Sequence, residues 1–222
     1  IYKGLWFVNN GTNGNTTCNS AGNVEVFGCV YDQFGNDQTF TKTSVGDAIV
    51  GCELFNSAGG SGTSFIITPG GTNGGVIVGN NIHNCVGNGI DANADTVIVN
   101  NIIAKCQGTT AAVRFQNGSM TTIIGNTIDG NAGSGVTIDT QAHFNNVTLY
   151  NNIISNHTGA GKFGLSVGAG TAAANTALGV FVNYNVFYNN TADLNGINYG
   201  TGDTHGGSNP YVGQSTENYT LA

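Results

Sequence analysis

A five-residue pattern recurs seven times along this chain, and a unit so short can bury its apolar side chains only by stacking on its own copies. The pattern reads apolar, any residue, small or Asn, any residue, apolar, and a polar turn follows. Its copies are Val26-Phe27-Gly28-Cys29-Val30, Val50-Gly51-Cys52-Glu53-Leu54, Val78-Gly79-Asn80-Asn81-Ile82, Val99-Asn100-Asn101-Ile102-Ile103, Ile124-Gly125-Asn126-Thr127-Ile128, Leu149-Tyr150-Asn151-Asn152-Ile153 and Val182-Asn183-Tyr184-Asn185-Val186. Successive copies start 24, 28, 21, 25, 25 and 33 residues apart, a period too short for two-helix repeats. Most units add a second apolar stretch after a Gly or polar turn, such as Gly89-Ile90-Asp91-Ala92, Ala112-Val113-Arg114-Phe115 and Gly135-Val136-Thr137-Ile138. Two or three short strands joined by Gly or Asn corners make one coil of a parallel β-helix. A lone coil exposes its inward side chains, whereas stacked neighbours bury them.

Stacking the copies predicts which residues face inward. The fifth position gives an apolar column of Val30, Leu54, Ile82, Ile103, Ile128, Ile153 and Val186. The third gives Gly28, Cys52, Asn80, Asn101, Asn126, Asn151 and Tyr184, and its four consecutive Asn predict an inward ladder of amides. Three residues past the apolar column come Gln33, Ser57, Cys85, Cys106, Asn131, Asn156 and Asn189, read as a turn column because Asn tolerates left-handed backbone. Composition agrees: Gly is abundant (36 residues) and Pro nearly absent (2 residues), which suits many strands and many turns. The expected class is all-β, a right-handed parallel β-helix of about seven coils with an Asn ladder.

The Asn-Asn-Ile-Ile and Gly-Asn-x-Ile segments, each leading through a turn to a Gly-Ile strand, resemble the repeats of the pectate-lyase-like superfamily over residues 24–200. That resemblance speaks for the fold and leaves function open, since the superfamily hosts enzymes, adhesins and viral spikes. Residues 209–221 also resemble the closing segment of such proteins. One domain is expected over 1–222, with an irregular cap at 1–23, coils over 24–200 and a closing segment at 201–222. Residues 9–23, 31–48 and 168–178 read as loops or insertions. The abrupt start at Ile1 reads as a processed product or the ordered part of something longer.

Charge excludes some functions. Only Lys3, Lys42, Lys105, Arg114 and Lys162 are fixed cations against a net charge of −7. Such a chain cannot build the basic face a nucleic-acid binder needs, and no apolar run approaches the length of a membrane span. The five cysteines, Cys18, Cys29, Cys52, Cys85 and Cys106, show no metal-ligand spacing. They read as buried thiols, with a Cys18–Cys29 bridge as the alternative; Cys85 and Cys106 fall on adjacent rungs.

Enzymes on a β-helix need carboxylates gathered on neighbouring rungs, or acids around Ca²⁺ with a basic residue nearby. The stacked columns place no two carboxylates together. The candidates are Asp129 and His83, two rungs apart or roughly 10 Å, and Asp91, which stacks beside Arg114 as an exposed ion pair. The turn from Asp91 to Asp95 is the one place read as able to hold Ca²⁺. Tyr150 and Tyr188 face outward on successive rungs and are the candidates for stacking against sugar.

These readings favour a non-catalytic protein of a virion surface or extracellular space, a spike, fibre or decoration element. Its expected partners are other surface proteins and a cell-surface glycan, without nucleic acid or membrane insertion. A polysaccharide lyase or glycoside hydrolase with a site between coils or subunits is the second reading, and a secreted bacterial adhesin the third. Outward apolar positions at Ile102, Tyr150, Ile154, Phe187 and Tyr188 call for cover, and the resemblance implies a cyclic homotrimer. Segments 9–23 and 207–222 are expected to cap the two open ends.

Overall fold

The computed structural model describes residues 1–8, 18–20, 25–32, 40–42, 48–56, 64–116, 120–139, 146–168, 179–214 and 218–221. The regular elements among them are strands that coil as a parallel solenoid. One sheet stacks nine strands: Trp6–Val8, Val30–Asp32, Glu53–Phe55, Asn81–His83, Ile102–Ala104, Thr127–Asp129, Ile153–Ser155, Val186–Tyr188 and Thr204–His205. A second sheet of fourteen strands forms the other two faces. Those faces count as one sheet because Ser64–Val78 and Asn88–Val99 run unbroken around a corner, pairing at both ends with a register shift between. The stack exceeds the counted repeats at both ends, since Trp6–Val8 precedes the first copy and Thr204–His205 follows the last, so the coil count departs slightly from seven.

The apolar column exists, with a correction at three rungs. Register pairs Tyr31, Leu54, Ile82, Ile103, Ile128, Ile154 and Phe187, and all seven are fully buried. Burying each of these side chains stabilises the fold by about 1.5–3 kcal/mol before entropy is counted. Val30, Ile153 and Val186 instead lie one residue outside the column, half-buried. The slip has a local cause: the true counterparts of Val50 and Ile124 are Phe27, Tyr150 and Asn183. An apolar residue one step earlier in each of those copies offered a false anchor. Because side chains alternate, one step exchanges inside for outside. Ile154 and Phe187 are therefore core, and two of the five outward positions behind the expected trimer are not outward.

The same step moves the ladder. Its members are Asn80, Asn101, Asn126, Asn152 and Asn185, not Asn151 or Tyr184. From Asn101 onward each Oδ1 accepts twice from the rung before: Asn126 Oδ1 takes Asn101 N at 2.9 Å and Asn101 Nδ2 at 3.0 Å. Each Nδ2 donates once along the ladder and once to a strand carbonyl on the adjoining face, as Asn126 does to Asn152 Oδ1 at 3.0 Å and Ile98 O at 2.9 Å. Cys52 N starts the series by donating to Asn80 Oδ1 at 2.8 Å. Asp203 Oδ1 ends it, accepting from Asn185 N at 2.7 Å and Nδ2 at 3.1 Å. A carboxylate accepts without donating, so the series needs no further rung.

Asn151 and Tyr184 belong to the corner before the ladder, where Gly28, Gly51, Gly79, Asn100, Gly125, Asn151 and Tyr184 all hold positive φ near +60°. The second corner has the same backbone at Asn56, Asn84, Lys105, Gly130, Asn156 and Asn189. Asn156 and Asn189 thus take the turn role expected of them, whereas Cys85, Cys106 and Asn131 are buried just beyond that corner. Gln33 and Ser57 lie outside the described residues.

Cys29, Cys52, Cys85 and Cys106 are free buried thiols, so no Cys18–Cys29 bridge forms. Cys85 and Cys106 stack with their Sγ atoms 2.9 Å apart, and burial pushes the Cys85 thiol well up. Parts of the expected irregular segments are strands: Cys18–Ser20 pairs with Phe40–Lys42, which pairs with the long strand. Their Asn/Thr-rich sequence hid them. Most of 9–23 and all but one residue of 168–178 lie outside the described residues. The closing segment forms an antiparallel pair, Tyr211–Gly213 with Asn218–Leu221. Its described polar contacts fall on the side of the nine-strand sheet, at Asp129 and Ser155, not over the terminal coil.

The ladder register has a direct test in urea unfolding. Asn152→Ala removes the acceptor of two buried donors and is expected to cost about 3 kcal/mol or more. Asn151→Ala at the exposed corner is expected to cost about 1 kcal/mol, the price of left-handed backbone for a residue with a Cβ. The reverse order would place Asn151 in the ladder.

Candidate functional site

Among the described residues, polar side chains gather around buried carboxylates at two places. The first lies on the face built from Asn88–Val99, Ala111–Phe115 and Ser134–Ile138. Asp91 and Arg114 are partners in register, as the stacking predicts. Their contact is long, 4.0 Å from Arg114 Nη1 to Asp91 Oδ2. Arg114 turns instead to Asp139, donating to Oδ2 from Nε at 2.9 Å and Nη2 at 2.6 Å. Asp91 is only 6% exposed, and Gln116 Nε2 donates to its two oxygens at 2.8 and 2.9 Å. The expected exposed ion pair is thus a half-sunk cluster of four side chains. Its carboxylates lie two rungs apart around one guanidinium, within roughly 9 Å of each other. Residue spacing aligned Asp139 with Gln116 but could not show which way the long Arg side chain would lean.

The second cluster surrounds Asp129, which is 3% exposed. Its column reads Asp32, Phe55, His83, Ala104, Asp129, Ser155 and Tyr188. Two carboxylates therefore share a column after all, but Asp32 and Asp129 stand four rungs apart, about 19 Å. Asp129 Oδ1 accepts from Ser155 Oγ at 2.7 Å, Asn156 Nδ2 at 2.6 Å and Gln214 Nε2 at 2.7 Å. With Ser155 donating to Asp129, the Tyr211 phenol donates to Ser155 Oγ at 2.7 Å. Burial pushes the Tyr211 phenol up, so it stays a donor at neutral pH. Tyr219 packs edge-on against Tyr211 with centroids 5.2 Å apart. Gln214 comes 85 positions after Asp129, and no repeat signal connects a closing segment to a coil.

Asp129 and His83 stand two rungs apart in one column, the spacing expected of them. His83 Nε2 lies 3.3 Å from Glu53 Oε1, and its ring stacks on Phe55 at 5.1 Å. A different histidine, His157, escaped notice because it falls one residue past the corner Asn156. It is fully buried. Its ring nitrogens face two carbonyls, Nδ1 to Gly133 O at 3.2 Å and Nε2 to Ile128 O at 3.4 Å. Burial outweighs these contacts and the nearby Asp129, holding its pKa below the ordinary 6.5.

Tyr150 and Tyr188 do not share a surface. Tyr150 belongs to the fourteen-strand sheet, where its phenol accepts from Asn183 Nδ2 at 2.9 Å and its ring tilts against Tyr184 at 6.1 Å. Tyr188 lies in the nine-strand sheet beside Ser155. Both are half-buried. The stretch from Asp91 to Asp95 is no turn but part of the strand Asn88–Val99. Asp95 Oδ1 accepts from Met120 N at 2.8 Å while Asp91 meets Gln116 and Arg114, so the pair does not converge on a cation. Among the described residues no three His, Cys, Asp or Glu side chains gather as a metal site, and no helix is long and apolar enough to cross a membrane.

Stacked parallel strands, left-handed corners and an internal amide series define a right-handed parallel β-helix. The family model described as right handed beta helix region matches residues 39–216, and the chain belongs to that family. No curated protein matches the chain.

Two outcomes follow from these clusters. Between the lowered pKa of His157 and 6.5, the unfolded chain binds a proton that the folded chain refuses. Stability must then fall as pH drops through that window. Urea unfolding at several pH values between neutrality and mild acid should show a steeper loss for the wild type than for His157→Gln; equal slopes would contradict a buried neutral imidazole. For the closing segment, Gln214→Ala and Tyr211→Phe are each expected to cost about 1–2 kcal/mol of local stability. Hydrogen exchange at Tyr211–Gly213 should speed up in both variants while the coils stay protected.

Proposed function

We propose that this protein is a non-catalytic structural rod of a virion surface or the extracellular space, with other surface proteins or cell-surface glycans as partners. The observation that carries this reading is the engagement of the carboxylates in the coils. Asp139 is held by Arg114, Asp91 by Gln116 and Arg114, Asp129 by three donors beneath the closing segment, and Asp203 by the end of the ladder. General acid–base hydrolysis asks for one protonated and one ionised carboxyl within reach of substrate or a water. A carboxylate already taken up by buried donors, or tied to a guanidinium, is occupied by the protein's own groups. A surface rich in Asn, Thr, Ser and Gly with few charges suits a rod that meets neutral partners.

One observation favours a glycosidase as the second reading. Asp91 and Asp139 stand on next-but-one rungs around one guanidinium, no farther apart than the upper end of the range used by inverting hydrolases. Incubating the full chain with acidic and neutral polysaccharides separates the two readings. No release of reducing ends or unsaturated products is expected. Cleavage that disappears in both Asp91→Asn and Asp139→Asn would establish the hydrolase instead, and cleavage lost in Asp129→Asn would overturn the structural role assigned to that residue.

A further inference from the structure

The last coil carries a feature that the rest of the rod lacks. Val180–Asn183 pairs on one side with Val147–Tyr150 and, among the described residues, with no strand on the other. The chain returns past that edge at Tyr199–Thr201. Thr201 O accepts from Tyr184 N at 3.0 Å, and Thr201 N donates to Asn183 Oδ1 at 2.7 Å. A Cβ on Gly200 would lie 1.4 Å from the Val182 carbonyl oxygen, so only glycine allows the segment to cross so closely. Between strand edge and crossing lies an open cleft of about 440 Å³, lined by Val180, Phe181, Val182, Asn183, Tyr199 and Thr201 besides Gly200.

We propose that this cleft binds a neutral pyranose unit of an oligosaccharide. Its walls carry two exposed rings, Phe181 at 38% and Tyr199 at 42%. Phe181 occupies an outward column that also holds Glu25, Ala48, Val76, Val97, Thr122 and Thr148, so among these members the aromatic appears only on the terminal coil. The Tyr199 ring is held in place: its phenol donates to Asp193 Oδ2 at 2.9 Å, and it stacks on His205 at 5.0 Å and meets Phe187 edge-on at 5.9 Å. Asn183 is fixed between the Tyr150 phenol and Thr201 N. Rings and amides fixed before binding lose little entropy on contact.

The chemistry of the walls selects the ligand. A pyranose has a C–H face that stacks on an aromatic ring and hydroxyls that bond to amide and peptide groups at its rim. No Lys or Arg lines the cleft. The nearest fixed charges are carboxylates, Asp193 on the Tyr199 phenol and Asp203, whose Oδ2 accepts from Gly200 N at 2.7 Å. Uronates, phosphates and nucleotides are therefore repelled. A peptide strand adding to the free edge is blocked where Gly200 crosses Val182. The choice of ligand rests on the extracellular reading, but the two fail separately, since absence of binding would leave absence of turnover untouched.

The test is calorimetric titration of the full chain with neutral hexasaccharides of glucose, mannose and N-acetylglucosamine, and with a galacturonate hexamer as the anionic control. At least one neutral oligosaccharide should bind with Kd at or below roughly 1 mM, and the galacturonate should not. Phe181→Ala, an outward substitution expected to leave thermal unfolding unchanged, should weaken binding at least about tenfold. Tyr199→Phe keeps the ring and should retain binding. The proposal is overturned by absence of neutral binding across the panel, by equal binding of galacturonate, or by unchanged affinity in Phe181→Ala.

Discussion

Buried amides running along the axis decide where each coil sits on the next. Strand pairing alone tolerates a slip, because a parallel ladder of backbone bonds looks alike after a shift and only the side chains object. The five Asn side chains remove that freedom. Each has two donor hydrogens and two acceptor sites; each Nδ2 donates onward along the series and to a strand carbonyl, and from Asn101 on each Oδ1 accepts twice from the rung before. A slipped coil would leave amides buried without partners, at about 1–3 kcal/mol for each group. The apolar columns, the corners and the positions of the surface clusters all inherit this register.

The corners are where the backbone adapts. Every coil turns into the nine-strand sheet through one residue in left-handed conformation, most often Gly or Asn. Tyr184 does so with a larger side chain, as Lys105 does at the corner where the chain leaves that sheet. Asn at a corner and Asn in the ladder are thus neighbours with opposite fates, as in Asn100-Asn101 and Asn151-Asn152. One is exposed and chosen for its backbone, the other buried and chosen for its amide.

That adjacency explains what the sequence alone could and could not show. Leu54, Ile82, Ile103 and Ile128 are legible because the position that aligns their copies is itself aliphatic, as Val50, Val78, Val99 and Ile124. Asn80, Asn101 and Asn126 followed from the same alignment. In the copies at Leu149 and Val182 the aligning position holds Tyr150 and Asn183, so the inward aliphatic residue directly before it offers a false anchor. Hydropathy could not choose between adjacent registers there; the amide network does. At the candidate sites, pairs aligned by the repeat were legible, as with Asp91 and Arg114. Contacts set by side-chain reach or by the returning chain were not. Arg114 reaching Asp139, and Tyr211 and Gln214 closing over Asp129, depend on geometry that no periodicity encodes.

The amide series has a direction. Donors point toward the C-terminal end, where the carboxylate of Asp203 receives them. Every Asn-to-Asn joint between rungs is chemically the same, and only the two ends, at Cys52 and Asp203, are different. The length of such a molecule is accordingly a quantity that duplication or deletion of whole coils can alter without new chemistry, provided the terminating acid stays in place. Evolution can lengthen or shorten this solenoid from within, one coil at a time, while the coil that ends the amide series stays unchanged.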